Sequence, residues 1–107
     1  MKQREELTGL GQPGLDNFSL HQKILNELHD TYIAKNNDYG NSVHDTYEKY
    51  GLVSFLVRLE DKLNRARTLM TKDSMVENEA IEDTLIDMAN YAILAAMEIK
   101  GYKEKAD

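Results

Sequence analysis

The chain has 107 residues, 19 of them acidic and 13 basic, for a formal net charge of −6, and it contains no cysteine. That length sets one domain as the prior and buries only roughly 60–70% of the unfolded chain's surface, so association would add stability that a lone core lacks. Lack of cysteine excludes a disulfide scaffold and thiolate-ligated metal, and the acidic balance argues against a nucleic-acid polymer as partner, though not against a nucleotide that arrives with metal ions.

The single proline lies in GLGQPGLDN, and residues 1–17 read as an arm or loop. Residues 18–107 read as one all-α domain. SLHQ at 19–22 fits a capping box. Leu20, Ile24, Leu25, Leu28 and Tyr32 follow at helical spacing, which predicts a first helix over about 20–35. It meets KNNDYGNS, residues 35–42, read as a loop. A short helix over about 43–49 is ended by Gly51. The third helix starts near 52, with Leu52, Leu56, Leu59, Leu63, Ala66 and Met70 in alternating steps of four and three. TKDS is a connector, SMVE at 74–77 is a second capping box, and a fourth helix runs over about 76–102. It repeats the spacing through Ile81, Leu85, Met88, Ala92, Ala95 and Ile99. No strand is predicted. The class is all-α: a small four-helix unit whose two long helices pair antiparallel.

No stretch approaches the ~20 apolar residues of a membrane span, and the start, MKQREELTGLGQPG, lacks the apolar segment of a signal peptide. A cytoplasmic protein without a membrane partner is expected. From Leu85 to Ile99 the fourth helix is apolar on more than one side, because Ile86, Ile93, Leu94 and Met97 lie off the main stripe. A helix apolar all round is a buried helix. A chain this short cannot surround it, so a homo-oligomer, dimer or tetramer, is expected.

Asp87 and Asn90 interrupt this apolar segment. At about 100° per residue Asp83, Asp87 and Asn90 share a face. The third helix offers Glu60, Asp61 and Asn64 with the cations Arg58, Lys62 and Arg65. One reading makes these interhelical salt bridges and solvated faces. The other has carboxylates from both helices converge on Mg²⁺, which takes oxygen ligands, keeps waters and is completed by substrate phosphates. Ions held this way would bridge phosphate oxygens and activate a water for in-line attack. Spacing alone does not choose between the two.

KNNDYGNS also has two readings. As a helix C-terminus, Lys35 favours the negative end of the dipole and Gly40 turns the chain. As a ligand site, Tyr39 stacks on a base, Asn36 or Asn37 bonds its edge, Lys35 reaches phosphate and Asp38 holds a sugar hydroxyl or orients Lys35. His21, His29 and His44 lack metal-ligand spacing, and the five methionines read as core or interface filler. Tyr91 reads as interface packing.

KNNDYGNS, then RLEDKLNRARTL, then VENEAIEDTLIDMANYAIL, in this order, resemble the phage and bacterial family called nucleotide modification associated domain 1 (DUF1599). The resemblance covers about residues 20–100. More distantly, that family is similar to the all-α pyrophosphatases of the MazG and dimeric dUTPase type. Those hold Mg²⁺ with an ExxE motif on one helix and an ExxD motif on the next, hydrolyse nucleoside triphosphates to monophosphate and pyrophosphate, and work as dimers or as tetramers of dimers. Asp87 matches the final Asp of ExxD. Its Glu falls at Thr84, with Asp83 one residue before. Glu60 and Asp61 match the start of ExxE, and its final Glu falls at Asn64.

The resemblance implies a Mg²⁺-dependent nucleotide pyrophosphohydrolase. Glu60, Asp61, Asp83 and Asp87 would hold metal and carry catalysis. Lys35, Asn36, Asp38, Tyr39, Lys62, Arg65 and Asn90 would bind a free, possibly modified, nucleotide. The alternatives are a non-catalytic nucleotide-binding or interaction module associated with a nucleotide-modifying enzyme, and a structural helical oligomer.

Overall fold

The computed structural model describes residues 14–39, 41–71 and 75–102, with side chains for 14–36, 41–71 and 79–102. These residues form four helices and no strand, as the all-α class requires: α1 (Asn17–Tyr39), α2 (Ser42–Tyr50), α3 (Val53–Leu69) and α4 (Met75–Lys100). The chain divides into two compact units, Met1–Asp38 and Tyr39–Asp107.

In the first unit α1 begins a turn earlier than SLHQ suggests. The Ser19 N–H donates to Asp16 Oδ1 at 2.7 Å, and the Leu20 N–H donates to the Asp16 carbonyl at 3.0 Å. Asp16 is thus the cap. It satisfies an orphan N–H as well as a serine would. Once it nucleates, Asn17 and Phe18 only lengthen the helix. The C-terminus also extends, and Lys35 to Tyr39 form the last turn of α1 rather than a loop. Nothing before Gly40 breaks a helix, and asparagine is a modest cost compared with glycine or proline. Leu28 is buried, at 5% exposure, and Phe18 stands out at 80%.

The second unit is built on α3 and α4. Lys62 Nζ lies 3.2 Å from Asp87 Oδ2, and one turn earlier on α3 the Arg58 guanidinium lies 5.8 Å from the ring centre of Tyr91, one turn later on α4. Contacts that run backward along one helix and forward along the other define an antiparallel pair. Ala66 and Thr84, both buried, occupy neighbouring levels of it. α2 joins α3 through Tyr47 and Phe55, whose ring centres are 6.0 Å apart; Phe55 is 2% exposed.

Glycines end two helices. Gly51 follows α2 with φ 77° and ψ −163°, and its N–H donates to the Tyr47 carbonyl at 2.7 Å. Gly101 follows α4 with φ 75°, and its N–H donates to the Met97 carbonyl at 3.0 Å. The fourth helix therefore stops at Lys100 rather than 102. SMVE falls across residues partly outside those described, and α4 begins at Met75.

The seam between α3 and α4 takes in only part of the apolar stripes that the spacing singles out: Ala66 is buried, and Leu59, Ile81, Met88 and Ala95 are half-buried. It also runs through Phe55 and Lys62 on α3 and through Thr84, Asp87 and Tyr91 on α4. The remaining stripe residues turn away from it. Leu52 (41%), Leu56 (53%), Leu63 (39%) and Met70 (72%) remain exposed on α3, as do Leu85 (54%) and Ile99 (67%) on α4. The physical reason is that α4 has more apolar surface than one seam accommodates. Lys62, half-buried, reaches Asp87, and the exposed Arg58 sets its guanidinium near the Tyr91 ring.

Candidate functional site

From Lys62, at about 100° per residue, Asp61 and Arg65 lie round α3 in one sense; from Asp87, Asp83 and Asn90 lie round α4 in the same numerical sense. In an antiparallel pair of right-handed helices these two senses meet on one side. Asp61, Arg65, Asp83 and Asn90 therefore share a side of the hairpin, with the Lys62–Asp87 pair at its floor. The leucine stripes turn in the other sense and occupy the opposite side. Glu60, two residues from Lys62, points away from α4 and is not brought to the others.

Asp61, Arg65 and Asp83 are exposed, and Asn90 is half-buried. Asp87 is 38% and Lys62 31% exposed by side chain, so the pair is partly screened from water. A paired aspartate inside an apolar segment is what the sequence demanded. An isolated charge there is costly, and a cation one helix away removes the cost. Among the described residues no three histidine, aspartate or glutamate side chains gather into a metal cage. The donor set fits instead the kind of Mg²⁺ that one or two carboxylates hold and phosphate oxygens and waters complete.

The two positions that depart from the pyrophosphatase motifs have other occupations. Thr84 is 2% exposed and donates its hydroxyl to the Ala80 carbonyl at 2.7 Å. Asn64 Oδ1 accepts from Arg67 Nη1 at 3.2 Å on the exposed side of α3. Neither faces the acids. Lys35 and Asn36 are exposed on the last turn of α1, in the first unit. The side chains of Asp38 and Tyr39 lie outside the described residues.

One turn beyond the Lys62–Asp87 pair is a cavity of about 140 Å³ lined by Ser42, Val43 and Thr46 of α2, Ser54, Phe55 and Arg58 of α3, and Tyr91 of α4. Sequence reasoning did not assemble it. Ser42 and Thr46 are too far in sequence from Tyr91 for periodicity to connect them.

A second cluster was also missed. His44 Nδ1 lies 2.8 and 3.0 Å from the two carboxylate oxygens of Glu98, and the Tyr102 hydroxyl donates to Glu98 Oε2 at 3.2 Å. Glu98 is 6% exposed. The hydrogen bond to Glu98 chiefly, with the charges of Glu98, Glu48 and Asp45, holds the His44 pKa above its ordinary 6.5 against the opposing effect of desolvation. This cluster ties α2 to the last turn of α4.

No helix among the described residues is long and apolar enough to cross a membrane. No curated protein and no solved structure matches the chain. The family described as nucleotide modification associated domain 1 matches residues 35–99, from Lys35 of the KNNDY turn through the acid side to Ile99, and the chain belongs to that family.

Proposed function

We propose that the protein binds a free nucleotide by its phosphates, through Mg²⁺ held on the acid side of the α3–α4 hairpin. The observation that carries this reading is the half-buried Lys62–Asp87 pair with Asp61, Arg65, Asp83 and Asn90 on the same side. A phosphate chain brings negative charge to Lys62 and Arg65. One or two of the carboxylates of Asp61, Asp83 and Asp87 would hold its metal. The ion supplies charge neutralisation at the phosphates when bound. The protein's own part is to fix the carboxylates on two packed helices and to release Asp87 from Lys62 as the ligand arrives. Family membership supports a role in nucleotide modification. The burial of Thr84 and the outward turn of Asn64 favour binding over fast pyrophosphate release, because two motif ligands have other work.

A thermal-shift screen of nucleoside mono- and triphosphates, with and without Mg²⁺, tests this reading. A pyrophosphate-release assay on the same samples separates the pyrophosphohydrolase from the binding module. Stabilisation that needs both nucleotide and Mg²⁺, and that Asp87→Asn abolishes with helical content intact, is the expected result. No nucleotide-dependent shift would leave the structural oligomer as the remaining reading.

The KNNDY segment is proposed by itself as a ligand contact: Lys35 for phosphate, and Asn36, Asp38 and Tyr39 for base and sugar. Tyr39→Ala is expected to weaken nucleotide binding by about 1–3 kcal/mol, the worth of one base–aromatic stack, and to leave pyrophosphate binding unchanged. Equal losses for both ligands in titration calorimetry would reduce the segment to a helix end.

A further inference from the structure

The cavity at the α2–α3–α4 junction is built for a small oxyanion, and we propose that it is a phosphate-binding pocket whose principal ligand group is the Arg58 guanidinium. Its lining is unusual for a core gap. Three hydroxyl side chains, Ser42, Thr46 and Ser54, and the phenol of Tyr91 surround one guanidinium, and only Val43 and Phe55 are apolar. Thr46 and Ser54 give their hydroxyl hydrogens to the Ser42 and Gly51 carbonyls, at 3.0 and 2.9 Å, so the donors left to the pocket in this arrangement are the Arg58 guanidinium, the Ser42 hydroxyl and the Tyr91 phenol. Arg58 has no carboxylate partner among the described residues; its one recorded neighbour is the Tyr91 ring. Lys62, one turn further along α3, is by contrast engaged by Asp87.

The size fits. About 140 Å³ is room enough for a phosphate and its waters. An arginine fork matches phosphate oxygens in two parallel hydrogen bonds, and such charge-assisted bonds are roughly twice as strong as neutral ones. The Tyr91 ring, 5.8 Å from the guanidinium, attracts its charge without consuming its donors. The first turn of α2 also lines the pocket, and its cap, Asn41, makes no side-chain hydrogen bond to the turn. The carboxylates nearest the lining residues in the chain are Asp45, turned to solvent on α2, Glu60 and Asp61, exposed on α3, and Asp87, engaged by Lys62. None of them lines the pocket.

Arg58 is one turn, about 6 Å, from Lys62 on α3, and Ser54, Arg58 and the acid group lie on the same side of the hairpin. A nucleotide whose phosphate chain runs along this side would place one phosphate at the acids and another against Arg58. That extension rests on the nucleotide reading above. The pocket itself does not.

Phosphorus NMR of inorganic phosphate titrated with the full chain, without Mg²⁺, tests the pocket alone. Phosphate line broadening and a saturable shift are expected. Arg58→Gln should weaken binding about tenfold, the worth of one charge-assisted contact. Arg58→Lys should recover part of it, because the charge returns without the fork. Arg67→Gln, which removes an equal charge from the far side of α3, should leave binding unchanged. Should Arg58→Gln lose helical content, Ser42→Ala serves as the second variant, with a smaller loss expected. Parallel titrations with a nucleoside and with its monophosphate separate the ligand sources: the monophosphate should compete with phosphate and the nucleoside should not. Phosphate binding equal in wild type, Arg58→Gln and Arg67→Gln, or none in wild type, would overturn the pocket. Arg58-dependent phosphate binding with no response to Mg²⁺-nucleotide would uphold the pocket and sink the nucleotide reading. Mg²⁺-nucleotide binding that ignores Arg58 would uphold the nucleotide reading and overturn the extension that sets a second phosphate against Arg58.

Discussion

Thr84 donates its hydroxyl to the Ala80 carbonyl and is 2% exposed, so it is a core residue that has satisfied its one polar group within its own helix. A glutamate there would be a buried charge with no cation placed to meet it. Thr84→Glu, which restores the pyrophosphatase motif in letters, is therefore expected to destabilise the protein by about 3–5 kcal/mol and to gain no metal binding. Urea midpoints with and without Mg²⁺ check this; full stability with new Mg²⁺ dependence would mean that Thr84 faces the acids after all. His44 makes a different kind of prediction. Its folded pKa is raised above 6.5 by Glu98, so the protonated form is favoured by folding. The stabilisation is fully present below pH 6.5 and is lost as pH rises through the raised value. His44→Gln should lower the melting temperature more at pH 6 than at pH 9, and an equal loss at both would remove the ionic part of the contact. Asp87 was legible in the sequence as an acid among apolar neighbours. Glu98 was not, because it sits near a helix end where acids are ordinary, and its partner lies 54 positions away.

Helix boundaries were legible wherever a residue with special backbone freedom marked them, and less so elsewhere. Gly51 ends α2 as expected, whereas Ser19 yielded to Asp16 and KNNDY joined α1 because neither position forces a break. Gly51 also shows how one residue sets an element. Its φ of 77° and ψ of −163° lie in a region open almost only to glycine, and a Cβ there would meet nothing within 4 Å. The cost of Gly51→Ala is thus backbone strain alone, about 1–3 kcal/mol. Chemical denaturation should show a lower midpoint with an unchanged slope, since no contact or buried surface is lost. An effect below a few tenths of a kcal/mol would mean that α2 and α3 tolerate another turn. The pairing of α3 with α4 was read correctly from their length and spacing, and the faces that meet only in part, since Ala66 is buried while Leu52, Leu56, Leu63 and Met70 stay exposed. Periodicity locates an apolar stripe without saying which partner covers it. Here Lys62, which counts as polar in any pattern, lies in the seam through its partner on α4.

At the scale of the molecule the described residues bury too little. Leu28, Phe55 and Ala66 are the buried apolar side chains, against thirteen large apolar residues that stand exposed. Scattered leucines on a surface need no explanation, but a contiguous patch marks an interaction site. On the α3–α4 hairpin the patch is contiguous: Leu52, Leu56, Leu63 and Met70 on one helix and Leu85, Ala92 and Ile99 on the other recur at intervals of four and seven on one side. It is the side opposite the acids, so covering it leaves the proposed site open. A second copy of the chain is the occupant that the pattern fits. Two such faces carry the same heptad spacing and match by symmetry, and the chain is acidic, so a charged partner is not what an uncharged stripe selects. An interface that supplies the missing core is expected to bury ~2,000 Å² or more in total. Sedimentation at micromolar concentration should give a multiple of the 12.3 kDa chain mass, and Leu63→Glu should reduce it to the monomer while the acid side is untouched in sequence. On a face that stays open to water the same substitution changes stability by no more than about 0.5 kcal/mol and leaves the sedimentation coefficient alone. A 12.3 kDa species for the wild type would remove the oligomer, and an oligomer indifferent to Leu63→Glu would place its interface elsewhere.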